Sequence, residues 1–240
     1  MDKFIIFAHA RSGSTSLARA LKFHPEVSII EEPFSRSRDT WSGKHIKYRD
    51  GLNTDVSSLD LQLSRIFTEC NSFKHLQGQL PEEFNKRLLL KGHNIVFLYR
   101  ENLLQAAVSR EISIQSNHWG SDRNKVLNHT YDAIDIPRME TFIEFVSRRT
   151  KLYKSFLEEN DISYISISYE KLFGSAIENR LKVFQEIEAF LAISDRHKQR
   201  NIKKILSPAA KLNRGDTYSK IPNIAEVVAQ FKDYGDLNVR

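Results

Sequence analysis

The 240-residue chain has one cysteine, Cys70, so no disulfide can form within it, and a reducing cytoplasm is the expected setting. No apolar run approaches the roughly 20 residues that cross a bilayer. The apolar part of the opening, MDKFIIFAHA, is too short for a secretory signal and leads straight into a polar loop, so it reads as a first strand. Internal repeats and low-complexity linkers are missing too, which favours one domain over residues 1–240. The net charge of +6 comes from scattered residues, not from a basic tract or repeated aromatic–basic modules. That pattern suits an anionic small ligand better than nucleic acid, which basic proteins otherwise bind non-specifically.

One more absence is local. FAHARSGSTSLARAL (Phe7 to Leu21) is an apolar strand that breaks into a small polar loop and resumes as a helix. Such a turn holds phosphate, because the free N–H groups of the helix start point at the anion. A nucleoside-triphosphate loop reads GxxxxGK[ST]. Here Ala8 stands at the first glycine and Ser14 at the lysine. Gly13 still lets the backbone approach an oxyanion, Ser12, Ser14, Thr15 and Ser16 offer hydroxyls, and Arg11 offers a planar fork. A capped helix start without a ligand would share most of these features.

Elsewhere strands and helices alternate. Strands are expected at Lys3–Ala8, Val27–Glu31, within FKHLQGQL, at Asn94–Tyr99 and at Ile162–Ser168. Helices are expected from Ser14 to Phe23, from a cap at Asp55 to Asn71, after Pro81, from Asn102 to Gln115, after Pro137, over Ala176–Leu191 and after Pro222. Met139, Phe142, Val146, Tyr153 and Phe156 recur at helical spacing, a stripe that belongs to a core. The expected fold is α/β: a P-loop-like parallel sheet flanked by helices on both faces, with ligands at the carboxyl ends of its strands.

A second signal accompanies the loop. In VFLYRENLLQAAVS, Arg100 ends the central strand and Ser109 follows nine residues later on a helix, so both can converge on an anion beside its first turns. Two separated anion sites suggest a nucleotide with phosphate at two places.

At these residues the chain resembles the sulfotransferases that use 3′-phosphoadenosine 5′-phosphosulfate (PAPS). RSGSTSLARAL is similar to their 5′-phosphosulfate loop and YRENLLQAAVS to their 3′-phosphate site. HPEVSIIEEPF resembles the second strand of carbohydrate sulfotransferases, ending in Glu-Pro. VSREISIQSNHWG, ISISYEKL and KLNRGDTYSKIPN resemble the bacterial trehalose and Nod-factor group. Glu101-Asn102 departs from the usual Asp-Pro, and the basic stretch Ser35–Asn53 has no counterpart. The resemblance implies PAPS as co-substrate, PAP as product, no metal, and a carbohydrate or glycolipid hydroxyl as acceptor. It implies nucleotide-binding roles for Arg11, Ser12, Gly13, Ser14, Thr15, Ser16, Arg100, Ser109, Tyr169, Lys211, Asn213 and Arg214. It also implies catalysis by Arg11 and Glu32, with Glu32 as general base, while alternation along the strand turns Glu31 away. His24, His93 and His118 are weaker candidates for the base.

A sulfonate carries less charge than a transferring phosphoryl group, so a loop lysine and Mg²⁺ are expected to be dispensable. Two other readings are a nucleotide or small-molecule kinase, and a non-catalytic module that binds an anion or nucleic acid. Arg36, Arg38, Lys44, His45, Lys47 and Arg49 form a basic patch that can meet an anionic acceptor, and Trp41 and Trp119 can stack on sugars.

Overall fold

The computed structural model describes residues 2–35, 46–119, 126, 128–194, 199–207 and 215–237. Five parallel strands form one sheet: β1 (Phe4–Ala8), β2 (Ile29–Glu31), β3 (Ser72–Leu76), β4 (Asn94–Tyr99) and β5 (Tyr164–Ser168), in the order β2-β3-β1-β4-β5. β1 lies at the centre because every residue of FIIFA is apolar and can be buried from both sides. Ala8 pairs with Leu76 on one flank and Leu98 on the other, so β1, β3 and β4 finish level. The chain segments that follow them therefore meet at one edge.

Alternate residues of β1 seed two cores. Phe4, Ile6 and Ala8 pack with Leu17 and Leu21 of α1 (Ser14–Leu21), and with Phe184 and Ile187 of α7 (Ile177–Phe190). Ile5 and Phe7 face α3 (Ser58–Glu69), α4 (Glu82–Leu89) and α6 (Ile136–Glu159), through Leu63, Ile66, Phe84, Leu88, Tyr153 and Leu157. A third cluster joins α5 (Leu103–Gln115) to the start of α6 and to α10 (Ile224–Gln230). Between these elements lie the short α2 (Ile46–Asp50), α8 (Gln199–Leu206) and α9 (Gly215–Tyr218).

The α6 stripe is core, with one shift in register. Met139, Ile143, Val146, Tyr153 and Leu157 are buried, while Phe142 and Phe156 are half-buried beside them. The buried row passes from the third cluster to the second, so one helix closes both. Asp55 does not start α3. Its carboxylate accepts the Ser57 N–H at 2.8 Å in a local turn, and the helix begins at Ser58.

Candidate active site

The loop between β1 and α1 owes its path to two left-handed residues, Arg11 (φ 65°) and Gly13 (φ 82°). Gly13 is sterically required as well. A Cβ there would lie 2.7 Å from Phe173 Cε2 and 2.8 Å from Tyr169 Cδ2. Both rings belong to the tight turn after β5, so that turn is packed onto the loop. Ser12 is buried and donates to the His9 carbonyl at 2.8 Å, which ties the loop to itself. Ser14 is buried at the start of α1 and Ser16, two residues on in the same first turn, is half-buried.

Arg11, Arg100 and Ser109 come together from three elements. Arg11 Nε donates to Ser109 Oγ at 2.9 Å, and Arg100 Nη1 donates to the Arg11 carbonyl at 2.9 Å. Arg100 Nη2 also donates to Gln105 Oε1, and the guanidinium lies 4.2 Å above the Tyr169 ring. Burial, with a smaller push from the Arg100 charge, holds Arg11 down at about 10, still cationic at neutral pH. Tyr218 of α9 is buried against this group; burial pushes its phenol up to about 12, and the Arg100 charge opposes that rise. Among the described residues, the carboxylate paired with either arginine is Glu170, 3.6 Å from Arg100 Nε.

The first turn of α5 is not open to an anion in the way its sequence suggests. Glu170 accepts the N–H groups of Glu101 (2.9 Å) and Asn102 (3.2 Å), and Asn102 Oδ1 accepts the Gln105 N–H at 2.7 Å. This cap uses both the backbone amide and the side chain of Asn102.

Glu32 follows β2 and takes φ 57°, so the strand's alternation ends at Glu31. Consequently the two glutamates do not point apart. Lys74, in the middle of β3 and 2% exposed, lies 2.7 Å from Glu32 Oε1 and 3.4 Å from Glu31 Oε2. The same Nζ donates to Thr15 Oγ1 at 2.8 Å. A lysine thus reaches the loop from the neighbouring strand, although the loop itself has none. Gln79 Nε2 holds the other Glu32 oxygen at 2.8 Å, and Lys22 pairs with Glu31 at 2.8 Å. Burial raises the Glu31 carboxyl, but Lys74 and Lys22 outweigh it and hold the group below its usual range.

The histidines named as alternative bases lie elsewhere. His24 is buried beside Glu188 at 2.8 Å, His93 precedes β4 at the opposite edge of the sheet, and His118 follows α5. Two other histidines are nearer. His9 donates from Nδ1 to Ala10 O at 2.7 Å, and His75 bonds Asn85 Oδ1 at 2.7 Å. Burial lowers both to about 4, which leaves them neutral at pH 7. Lys211, Asn213 and Arg214 lie outside the described residues, as do Arg36, Arg38, Trp41, Lys44, His45 and the Lys47 side chain. Trp119 is exposed, and Arg49 donates to the Gln79 carbonyl at 3.0 Å.

Sequence reasoning passed over Lys74 and Gln79. Lys74 had a signal: an ammonium inside the apolar strand SFKHL must find a partner or be expelled. Gln79 had none.

No protein-family model and no curated protein matches the sequence. Among solved structures, the chain is similar to mouse sulfotransferase SULT7A1 in complex with PAP. The TM-score is 0.50 at 16% identity, covering 97% of this chain and 82% of that one. The fold is therefore the sulfotransferase type of P-loop-like α/β fold, a five-stranded parallel sheet with helices on both faces. No described helix is long and apolar enough to cross a membrane.

Proposed function

We propose that this chain is a cytoplasmic, PAPS-dependent sulfotransferase, one catalytic domain over residues 1–240, acting on a carbohydrate or glycolipid hydroxyl as the bacterial trehalose and Nod-factor enzymes do. One observation carries the reading. Arg11 and Arg100 are packed together at the carboxyl edge with, among the described residues, a single carboxylate, Glu170, at 3.6 Å for counter-charge. Two adjoining guanidiniums, enclosed and under-neutralised, call for an anionic ligand. SULT7A1, the structural neighbour, binds PAP. In this reading Arg100 and Ser109 take the 3′-phosphate of the nucleotide, with Tyr169 beside them.

The loop takes the phosphosulfate. Gly13 keeps its backbone close, while Arg11, Ser14, Thr15 and Ser16 supply donors and Ser12, whose hydroxyl is taken by the His9 carbonyl, offers its backbone N–H. Lys211, Asn213 and Arg214 are assigned nucleotide-binding roles as well. As the acceptor oxygen bonds to sulfur, the bond from sulfur to the bridging oxygen breaks and negative charge gathers on that oxygen. Arg11 and Lys74, the latter through its Thr15 contact, stabilise that charge because both are in place beforehand. Glu32 takes the hydroxyl proton. No metal is needed, since Lys74 brings a fixed cation to the loop.

Calorimetry in the presence of EDTA tests the assignment. 3′,5′-ADP should bind far more tightly than 5′-AMP, by several kcal/mol at about 1.5–3 for each charged hydrogen bond. Equal affinities would overturn it. So would an ATP- and magnesium-dependent activity with no response to PAPS.

A further inference from the structure

Gln79 is held at three points, two on its backbone and one on its side chain, before its amide reaches Glu32. Its backbone N–H donates to the Leu76 carbonyl at 2.9 Å, its own carbonyl accepts from Arg49 Nη1 at 3.0 Å, and its Oε1 accepts the Leu76 N–H at 3.2 Å. The last contact decides which way round the amide lies. If it were turned over, Nε2 would face another N–H and Oε1 would face a carboxylate. The amide nitrogen must therefore point at Glu32 Oε2, where it lies at 2.8 Å. Glu32 Oε1 is meanwhile held by Lys74 at 2.7 Å. One oxygen faces a full positive charge and the other a neutral donor.

We propose that Gln79 is a positioning residue that orients Glu32 and leaves Oε2 as the oxygen that receives the acceptor's proton. The proposal rests on Glu32 being the base. Lys74 draws the carboxylate's charge toward Oε1, so the proton is better placed on Oε2, away from the cation. The acceptor oxygen bonds to sulfur as the bond from sulfur to the bridging oxygen breaks and its electron pair leaves with 3′,5′-ADP, while the acceptor O–H bond breaks and the proton settles on Oε2. The left-handed backbone at Glu32, φ 57°, gives the carboxylate no regular strand to lean on, so its direction comes from Lys74 and Gln79.

A double-mutant cycle tests this, read as sulfate release from PAPS with water as the acceptor, at one fixed pH. Gln79→Leu should slow release about tenfold, because a misplaced base loses the benefit of orientation. Gln79→Glu has the same shape but no donor, and should fall at least as far. 3′,5′-ADP affinity should stay within about twofold in both, and in Glu32→Gln the Gln79→Leu change should matter by less than about twofold. Gln79→Asn, whose amide stops short of Glu32, carries the test if the leucine variant does not fold. A Gln79→Glu enzyme as fast as wild type overturns the proposal, as does a full tenfold loss on top of Glu32→Gln. Retained activity in Glu32→Gln alone sinks the base assignment itself, whereas an inactive Glu32→Gln beside fast Gln79 variants sinks only the role of Gln79.

Discussion

At the ends of β1 and β4, the Arg100 guanidinium donates to the Arg11 backbone carbonyl at 2.9 Å, which brings two arginines together with one carboxylate among the described residues, 3.6 Å from Arg100. Where β2 ends against the middle of β3, the Lys74 ammonium is shared by two carboxylates at 2.7 and 3.4 Å, and Lys22 pairs with one of them at 2.8 Å. The first region has surplus positive charge; the second is closer to balance, and its glutamates find their cation within the fold. In the proposed reading the surplus is for holding a nucleotide and the balanced pair is for moving a proton. One sheet edge thus supports both tasks, with Thr15 as the physical link, since Lys74 touches the loop there.

The sharpest break comes from Lys74→Met. Removing the partner of enclosed carboxylates typically destabilises by about 3–5 kcal/mol. A denaturant titration should show a loss of that order, with turnover lowered in whatever protein stays folded. A stability equal to wild type would mean that Glu31 and Glu32 do not depend on Lys74.

Arg100→Ala acts on the other region. It removes the donor to the Arg11 carbonyl as well as the expected phosphate contact, so 3′,5′-ADP affinity should fall by about a hundredfold or more. The preference over 5′-AMP should go with it. Isothermal calorimetry reads both, and a retained preference would place the 3′-phosphate elsewhere.

Glu32→Gln separates the two regions most cleanly. Turnover should drop by roughly a hundredfold while nucleotide affinity barely moves. Parallel losses of turnover and affinity would show that the regions act as one site. Glu31→Gln should do less, yet more than a residue turned away from the site, because Glu31 helps to hold Lys74.

The smallest effect is a pH drift in stability from the neutral interior beside both regions. His9 and His75 titrate at about 4 in the fold, against 6.5 as free groups, chiefly through burial. The unfolded chain therefore binds protons first. Their share of stability is complete above pH 6.5 and drains as pH falls toward 4, by about 1 kcal/mol per histidine at pH 5.5. Urea midpoints at pH 7.5 and 5.5 measure the drop, and His9→Gln should shrink it. A flat profile would mean that these rings are protonated without penalty.

The alternating elements, the parallel sheet and the polar loop between β1 and α1 were legible in the chain itself. Apolar runs such as FIIFA and NIVFLY, helical spacing over α6, and a glycine before a row of hydroxyls are local patterns, and local sterics enforce them. Asn102 and Gly13 also belong to this level, one as a cap and the other as a left-handed turn. The pairings across long stretches of chain were decided only by the tertiary structure. Arg11 meets Ser109 across 98 positions and Lys74 meets Thr15 across 59. No periodicity encodes such contacts, because they follow from the order in which strands lie side by side. The turn of Glu32 toward Lys74 and Gln79 is of the same kind. Strand alternation predicts opposite directions for Glu31 and Glu32, and the left-handed backbone at Glu32, which only the assembled edge supports, brings both carboxylates to one ammonium.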